Sequence, residues 1–469
     1  RRERMRMQAA LCQALCIGAA AFVGRAAGAA GTAAFVSPFL PERYEEAQAL
    51  TKVKLDGWNA SQLHSGFITI DKTTDSNTYF VFAPALSKRT DAPVLLWLQG
   101  GPGASSLFGM FTEIGPFDID EGMQVAPRAH SWNRNYSLLF LDNPLGTGFS
   151  FTNSLERMAT NQSSVGADLL AALSQFFQLF PAQRANPFYV TGESYAGKYV
   201  PACAYAIHAH NAQQPPSRRI NLQGISIGDG AFAPEVQLSA GFGDLLYDLG
   251  MVSQQERAVF RAYEARIRAA LDASNPLLAY RVFDEMLNGD EYPFPTYYAN
   301  VTGMKSNYFN FEQGPDGSSL TTNHFITWLG TAAGRAAMNV GDRPYAVENA
   351  TVEKQLLNTW MVGVTEFLVP LLEHYKVLIY SGQNDIILGP PLTENALRSP
   401  ALAKWSRQAD FVKAPKSAWH VGADLAGYAR AVGNFAYVVV RGAGHMVPGD
   451  QPVRALDLIT RFVEGRPFS

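Results

Sequence analysis

Six runs of this chain are apolar without alternation, and each stops at a glycine, aspartate or proline turn. Val94-Leu-Leu-Trp-Leu ends at Gln99-Gly-Gly-Pro-Gly, Ser137-Leu-Leu-Phe-Leu at Asp142-Asn-Pro, and Phe188-Tyr-Val at Thr191-Gly192. Leu222 to Ile227 ends at Gly228-Asp-Gly, Val377-Leu-Ile-Tyr at Ser381-Gly, and Phe435 to Val440 at Gly442. A strand with one face in water alternates apolar and polar residues, whereas a strand covered on both faces does not. Helical patterns lie between several of the runs, at Val165 to Phe180, Val352 to Tyr375 and Val453 to Val463. Buried strands alternating with helices predict an α/β fold, with a mostly parallel central sheet and helices on both faces. In such sheets ligands gather at the C-terminal strand ends, where this chain places its glycines and polar residues.

Two further stretches complete the layout. Gly66-Phe-Ile-Thr-Ile and Thr78-Tyr-Phe-Val-Phe predict an antiparallel hairpin ahead of the parallel strands. From Val236 to Thr351 the rhythm breaks into helix formers and then aromatics with asparagine, as in Tyr292-Pro-Phe-Pro-Thr-Tyr-Tyr and Asn307-Tyr-Phe-Asn-Phe. Residues 236–351 therefore read as a mainly helical cap insertion, dividing the α/β core into 31–235 and 352–469.

The N-terminus is basic from Arg1 to Arg6, apolar and Ala-rich from Leu11 to Val23, and small-residued at Ala27-Gly28-Ala29. That tripartite order predicts a secretory signal peptide over residues 1–30, its apolar part too short for a comfortable membrane span. Secretion, with a destination in the lysosome, the vacuole or outside the cell, agrees with five Asn-x-Ser/Thr candidates for glycosylation: Asn59, Asn135, Asn161, Asn300 and Asn349. Cys12 and Cys16 fall in the expected leader, which leaves Cys203 alone and no intrachain disulfide. Cys203 itself reads as a small buried apolar residue. A formal net charge of −3 gives no reason to expect nucleic acid or an anionic membrane surface as partner.

The chemistry lies at the strand ends. Ser194 sits in Gly192-Glu-Ser-Tyr-Ala, where a strand turns into a helix. Such a turn lifts a serine hydroxyl above the sheet, beside N–H groups that favour an anion; the bland reading is a helix-capping serine. The elbow pattern G-x-S-x-G is met except that Ala196 replaces the second glycine. A hydroxyl needs a base and the base an orienting acid, in the chain order serine, acid, histidine. Asp385, past Tyr380-Ser-Gly-Gln-Asn, and His445, in Arg441-Gly-Ala-Gly, satisfy that order, each beyond the end of a buried strand. Taken singly, Asp385 reads equally as a helix cap and His445 as a turn residue. Consecutive glycines in Gln99-Gly-Gly-Pro-Gly let backbone N–H groups converge, so Gly101 and Tyr195 are the candidate oxyanion donors. A phosphate cradle is disfavoured because the Lys-Ser/Thr of a P-loop is missing.

Several longer blocks, namely Trp97-Leu-Gln-Gly-Gly-Pro-Gly-Ala-Ser-Ser, Leu141-Asp-Asn-Pro-Leu-Gly-Thr-Gly-Phe-Ser, Gly192-Glu-Ser-Tyr-Ala-Gly-Lys-Tyr, Gly228-Asp-Gly and Gly444-His-Met-Val-Pro, resemble the signature blocks of serine carboxypeptidases. Tyr380-Ser-Gly-Gln-Asn-Asp-Ile-Ile with Gln99 resembles the vitellogenic-like branch. The resemblance runs from about Gly66 to the C-terminus and is weakest across the insertion. It implies an α/β-hydrolase fold and a serine-type carboxypeptidase that releases C-terminal residues from peptides through an acyl-enzyme, at acidic pH. It also implies a substrate-carboxylate site at Gln99, Gly100, Glu113 and Glu193, in which neighbouring carboxyls share a proton. Glu113 reads alternatively as a solvated surface charge. Two departures stand out: Ala104 occupies a usual cysteine position, and the family's disulfides cannot form. Peptide or protein C-termini are the expected partners, with no membrane insertion after leader removal, no metal and no organic cofactor. A carboxypeptidase-like acyltransferase would use the same triad, a lipase or esterase would not need the carboxylate set, and a secreted scaffold would be expected to lose a triad member.

Overall fold

A computed structural model of the chain describes residues 31–313 and 323–468. The leader expected over residues 1–30 lies outside them. In chain order the strands are β1 (His64–Asp71), β2 (Ser76–Ala83), β3 (Val94–Leu98), β4 (Phe117–Ile119), β5 (Val125–Pro127), β6 (Ser137–Leu141), β7 (Phe188–Glu193), β8 (Leu222–Gly228), β9 (Lys376–Gly382), β10 (Ser417–Val421), β11 (Asp424–Val432) and β12 (Phe435–Val440). One 10-stranded sheet has the order β1-β2-β6-β3-β7-β8-β9-β12-β11-β10, while β4 and β5 pair separately. The six apolar runs are the six contiguous strands from β6 to β12, every neighbouring pair among them parallel. Antiparallel strands close both edges.

Successive residues of the parallel strands enter two different cores. Val94, Leu96 and Leu98 of β3 face one, with Val190, Ile225, Ile227 and Ile379. Leu95 and Trp97 face the other, with Tyr189, Leu378, Val438 and Val440. This two-sided burial is why the runs do not alternate in polarity. The first core is covered by α1 (Gln162–Leu179), α2 (Ala196–Ala212), α3 (Ala350–Trp360) and α4 (Thr365–His374), through Phe176, Val200, Leu356 and Leu368 among others. The second is covered by α5 (Pro452–Glu464), through Leu458, Ile459 and Phe462.

The helical pattern from Val352 to Tyr375 is two helices, α3 and α4, not one. Lys198, buried on α2, donates from Nζ to the Trp360 carbonyl at 2.9 Å and to that of Thr359, capping the end of α3. After the break the Val364 N–H donates to the Phe232 carbonyl. Strands β10 and β11 were not anticipated. They form the sheet's outer edge, and β11 interleaves Asp424, Gly427 and Arg430 with Ala426, Ala429 and Ala431, residues of low β propensity that blur its pattern.

Among the described residues, 236–351 contain helices and no named strand; the longest are Gln254–Asp272 and Pro276–Phe283. Phe260, Ile267, Tyr280 and Phe283 from these helices join the first core. Further on the segment crosses to the opposite edge of the sheet, where the Met338 carbonyl accepts from Ser65 Oγ and Tyr79 Oη. No helix among the described residues is long and apolar enough to cross a membrane.

Candidate active site

The chain passes from β3 to β6 on one side and then returns to β7 on the other, so the strand order reverses at β3 and β7. Crevices at such reversals are where open α/β sheets bind ligands. Ser194 follows β7 directly and precedes α2, with φ +65°, a left-handed conformation rare outside glycine. Its N–H donates to the Gly228 carbonyl and its carbonyl accepts from Ala231, both at 3.0 Å, so the turn after β8 clamps it. Gly100 lies against this elbow: a Cβ there would sit 2.5 Å from the Tyr195 nitrogen and 2.7 Å from Ser194 Cβ. Gly101 follows with φ +100°. The Gly100–Gly101 peptide is thereby held beside the Tyr195 backbone N–H.

The loops after β9 and β12 meet. His445 Nδ1 and Asp385 Oδ2 are 2.8 Å apart, and both residues are buried. Each loop is also pinned from the inserted segment. The His445 N–H donates to the Tyr308 carbonyl and that of Ile387 to Asn307, each at 3.0 Å. Asn310 Nδ2 donates to the Gly442 carbonyl while its Oδ1 accepts from Asn384 Nδ2, again each at 3.0 Å. The asparagine-aromatic stretch that broke the sequence rhythm is therefore a strap across both loops.

A second polar group lies at the ends of β3 and β7. Trp97 Nε1–H donates to Gln99 Oε1 at 2.8 Å, which turns Gln99 Nε2 to donate to Glu193 Oε1 at 3.0 Å. Glu113 stands in a π-helical turn, Met110–Ile114, that continues the short helix Ser106–Gly109. It is buried, so the surface-charge reading is not the one realised. Both Glu113 carboxyl oxygens and Glu193 Oε2 are buried with no N–H or hydroxyl donor among the described residues, which leaves the two carboxyls to bond each other. Burial pushes the Glu113 carboxyl up to about 7, with Glu193, His445 and Arg128 opposing the rise. Burial first, then repulsion from Glu113, raises Glu193 well above the ordinary glutamate range. The pair accordingly shares a proton through the acidic range.

Asp142 fastens the loop after β3, accepting from Ser105 Oγ (2.6 Å), the Ser106 N–H (3.0 Å) and the Phe149 N–H (2.9 Å). Sequence reading singled out its Leu141-Asp-Asn-Pro block without assigning this role. Ala104, at the usual cysteine position, pairs through its backbone with Glu348 instead. Cys203 is buried and free, and burial raises its thiol above the ordinary range. Asn59, Asn135, Asn161 and Asn300 are exposed; Asn349 is half-buried, and its Nδ2 donates to the Gly146 carbonyl.

A parallel sheet with a serine elbow after one strand and a buried Asp–His pair after two others defines an α/β hydrolase. The profile of the serine carboxypeptidase family matches residues 54–465, and the chain belongs to that family. It is 42% identical over 440 residues to a venom serine carboxypeptidase of Apis mellifera, covering 94% of this chain and 92% of that protein. It is 39% identical over 444 residues to a vitellogenic carboxypeptidase of Aedes aegypti, covering 93% and 91%. The crystal structure of a prohormone-processing carboxypeptidase from Saccharomyces cerevisiae superposes with a TM-score of 0.74 at 19% identity, over 89% of this chain and 96% of that one, which establishes the shared fold. The chain is a serine-type carboxypeptidase, a hydrolase of peptide bonds.

Proposed function

We propose that Ser194, His445 and Asp385 perform this hydrolysis and that Gln99, Gly100, Glu113 and Glu193 restrict it to free C-termini. Ser194 Oγ attacks the last peptide carbonyl while His445 takes its proton. With Nδ1 engaged by Asp385, Nε2 is the ring nitrogen left for that transfer. Asp385 fixes the tautomer and stabilises the imidazolium. The Gly101 and Tyr195 N–H groups receive the oxyanion, a role supported by the approach of Gly100 to the elbow. His445 then protonates the departing amino acid, and water, activated by the same imidazole, releases the shortened peptide from Ser194.

The observation that carries the exopeptidase assignment is the buried carboxyl pair beside Gln99. A protonated carboxyl and a side-chain amide donate to a substrate carboxylate; an ester or an internal peptide offers them only neutral carbonyls, which accept more weakly. Residues 236–351 act as the cap over this site. The leader pattern and the exposed sequons Asn59, Asn135, Asn161 and Asn300 support passage through the secretory pathway, to the lysosome, the vacuole or the cell exterior. Asn349 is the least suited acceptor, because it is half-buried and its amide nitrogen is bonded to the Gly146 carbonyl.

The test is a free-acid peptide against its C-terminal amide at acidic pH, with products followed by mass. The free acid should shorten stepwise while the amide persists, and Ser194→Ala should lower kcat by about 10⁶-fold. Equal turnover of both peptides would remove the carboxylate-reading role.

A further inference from the structure

Asp229 lies in the Gly228-Asp-Gly block, which the reaction above leaves unused. The residue is fully buried at the end of β8, and its φ of +42° places it in the left-handed region. Its backbone N–H donates to the Tyr380 carbonyl, and its Oδ1 accepts from the Gly382 N–H at 2.7 Å. Its turn also holds Ser194 through Gly228 and Ala231. Asp229 thus joins the nucleophile elbow to the strand that presents Asp385. Asp229, Asp385 and His445 each bring one polar atom within 4.8 Å of the others. Asp229 Oδ2 and Asp385 Oδ1 are both buried without a partner.

Two ionised carboxylates cannot share this enclosure cheaply. The groups facing Asp229 are Asp385 and His445, Asp450 beyond His445, Glu193 at the end of β7, and the Tyr380 and Tyr437 phenols. Of these His445 alone can carry positive charge, and its Nδ1 is already paired with Asp385. That pairing puts a proton on Nδ1, which leaves this nitrogen no lone pair for a cation. A proton on Asp229 Oδ2 resolves the contact: Oδ1 keeps the Gly382 N–H, and Oδ2–H donates to Asp385 Oδ1.

We propose that Asp229 is a positioning residue, a protonated carboxyl that donates a hydrogen bond to Asp385 and so fixes the carboxylate that orients His445. Burial, followed by repulsion from Asp385, raises the Asp229 carboxyl well above its ordinary range, in agreement with this placement. The inference rests on the triad reading, which Ser194→Ala tests separately: an active Ser194→Ala would remove both, whereas an inactive one leaves Asp229 to be judged by its own variants.

The decisive comparison is Asp229→Asn against Asp229→Ala in the full chain, with kcat, KM, the pH profile of kcat/KM on a free-acid peptide, and thermal unfolding. Asparagine reproduces both contacts, since Oδ1 accepts from Gly382 and Nδ2 donates to Asp385. Alanine should lower kcat by about 10²-fold with KM little changed, because the imidazole loses its orientation. Asparagine should rescue kcat to within about threefold of the native enzyme, the scale of one exchanged hydrogen bond. The acid limb of its profile should stay in place, because one neutral group replaces another. Asparagine as damaging as alanine, a fully active alanine variant, or an acid limb displaced to lower pH in Asp229→Asn would each overturn the proposal. Should the alanine variant fail to fold, the kcat and acid limb of Asp229→Asn decide alone.

Discussion

Ser194 is held at φ +65°, where a non-glycine residue stores about 1–3 kcal/mol of backbone strain. The bonds to Gly228 and Ala231 and the pressure of Gly100 keep it there. The other consequential residues are Glu113 and Glu193, whose protonation, on the proposed carboxylate-reading role, sets the pH range of the reaction. The Glu113 carboxyl is raised to about 7, so the proton that greets a substrate carboxylate is present below that pH and lost above it. Peptide kcat/KM should therefore fall as pH rises through about 7, chiefly through KM. Glu113→Gln should weaken this dependence, because an amide donates at every pH. The pH profile of the variant on a free-acid peptide checks this, and an unchanged alkaline fall would assign it to another group.

The element that organises the catalytic loops is the Asn307–Asn310 strap. Its backbone and amides hold the His445 and Asp385 loops by hydrogen bonds near 3.0 Å, and Asn307 and Asn310 are buried. Removing Asn310 strands the buried Asn384 amide and leaves the Gly442 carbonyl to Gln451 Nε2 alone. Asn310→Ala should destabilise the fold by about 1–3 kcal/mol, read in thermal or denaturant unfolding. It should also lower kcat more than it raises KM, because the loops it releases carry His445 and Asp385, the proposed base and its acid. Lys198 performs a comparable fastening, tying the helix that follows Ser194 to the end of α3.

Across the whole molecule the buried carboxyls bias stability toward acid. Glu113 is raised to about 7 and Asp142 to about 6, in both cases first by burial. A carboxyl with a raised folded-state pKa contributes stability in full below its unfolded value and loses it as pH climbs through the folded one. The fold should weaken from about pH 4.5 to 7, with His64, a buried base lowered to about 4, opposing the trend between about 4 and 6.5. Thermal midpoints across that range should decline with pH, and Glu113→Gln should flatten the slope. Stability also stands without a disulfide among the described residues, since Cys203 is buried and free. A thiol reductant should leave the midpoint unchanged; a drop would reveal a cross-link.

The strands and their parallel core were legible in the chain because burial on both faces leaves unbroken apolar runs, and the proposed triad residues follow three of those runs. Ser194, Asp385 and His445 could be chosen by their positions after such strands. The family resemblance at Gln99, Glu113 and Glu193 added the proposed carboxylate site. What the linear pattern could not carry were contacts between distant polar residues. Gln99 bonded to Glu193, Asp142 fastening the loop after β3, the Asn307–Asn310 strap and Asp229 against Asp385 leave no periodicity, because each joins side chains far apart along the sequence. The edge strands β10 and β11 escaped for a related reason: they are held by backbone pairing to β12, which their own exposed and small residues do not announce. Local chemistry determined which residues could react, and the enclosure formed only on folding decided which carboxyls keep their protons and which loops hold the base in place.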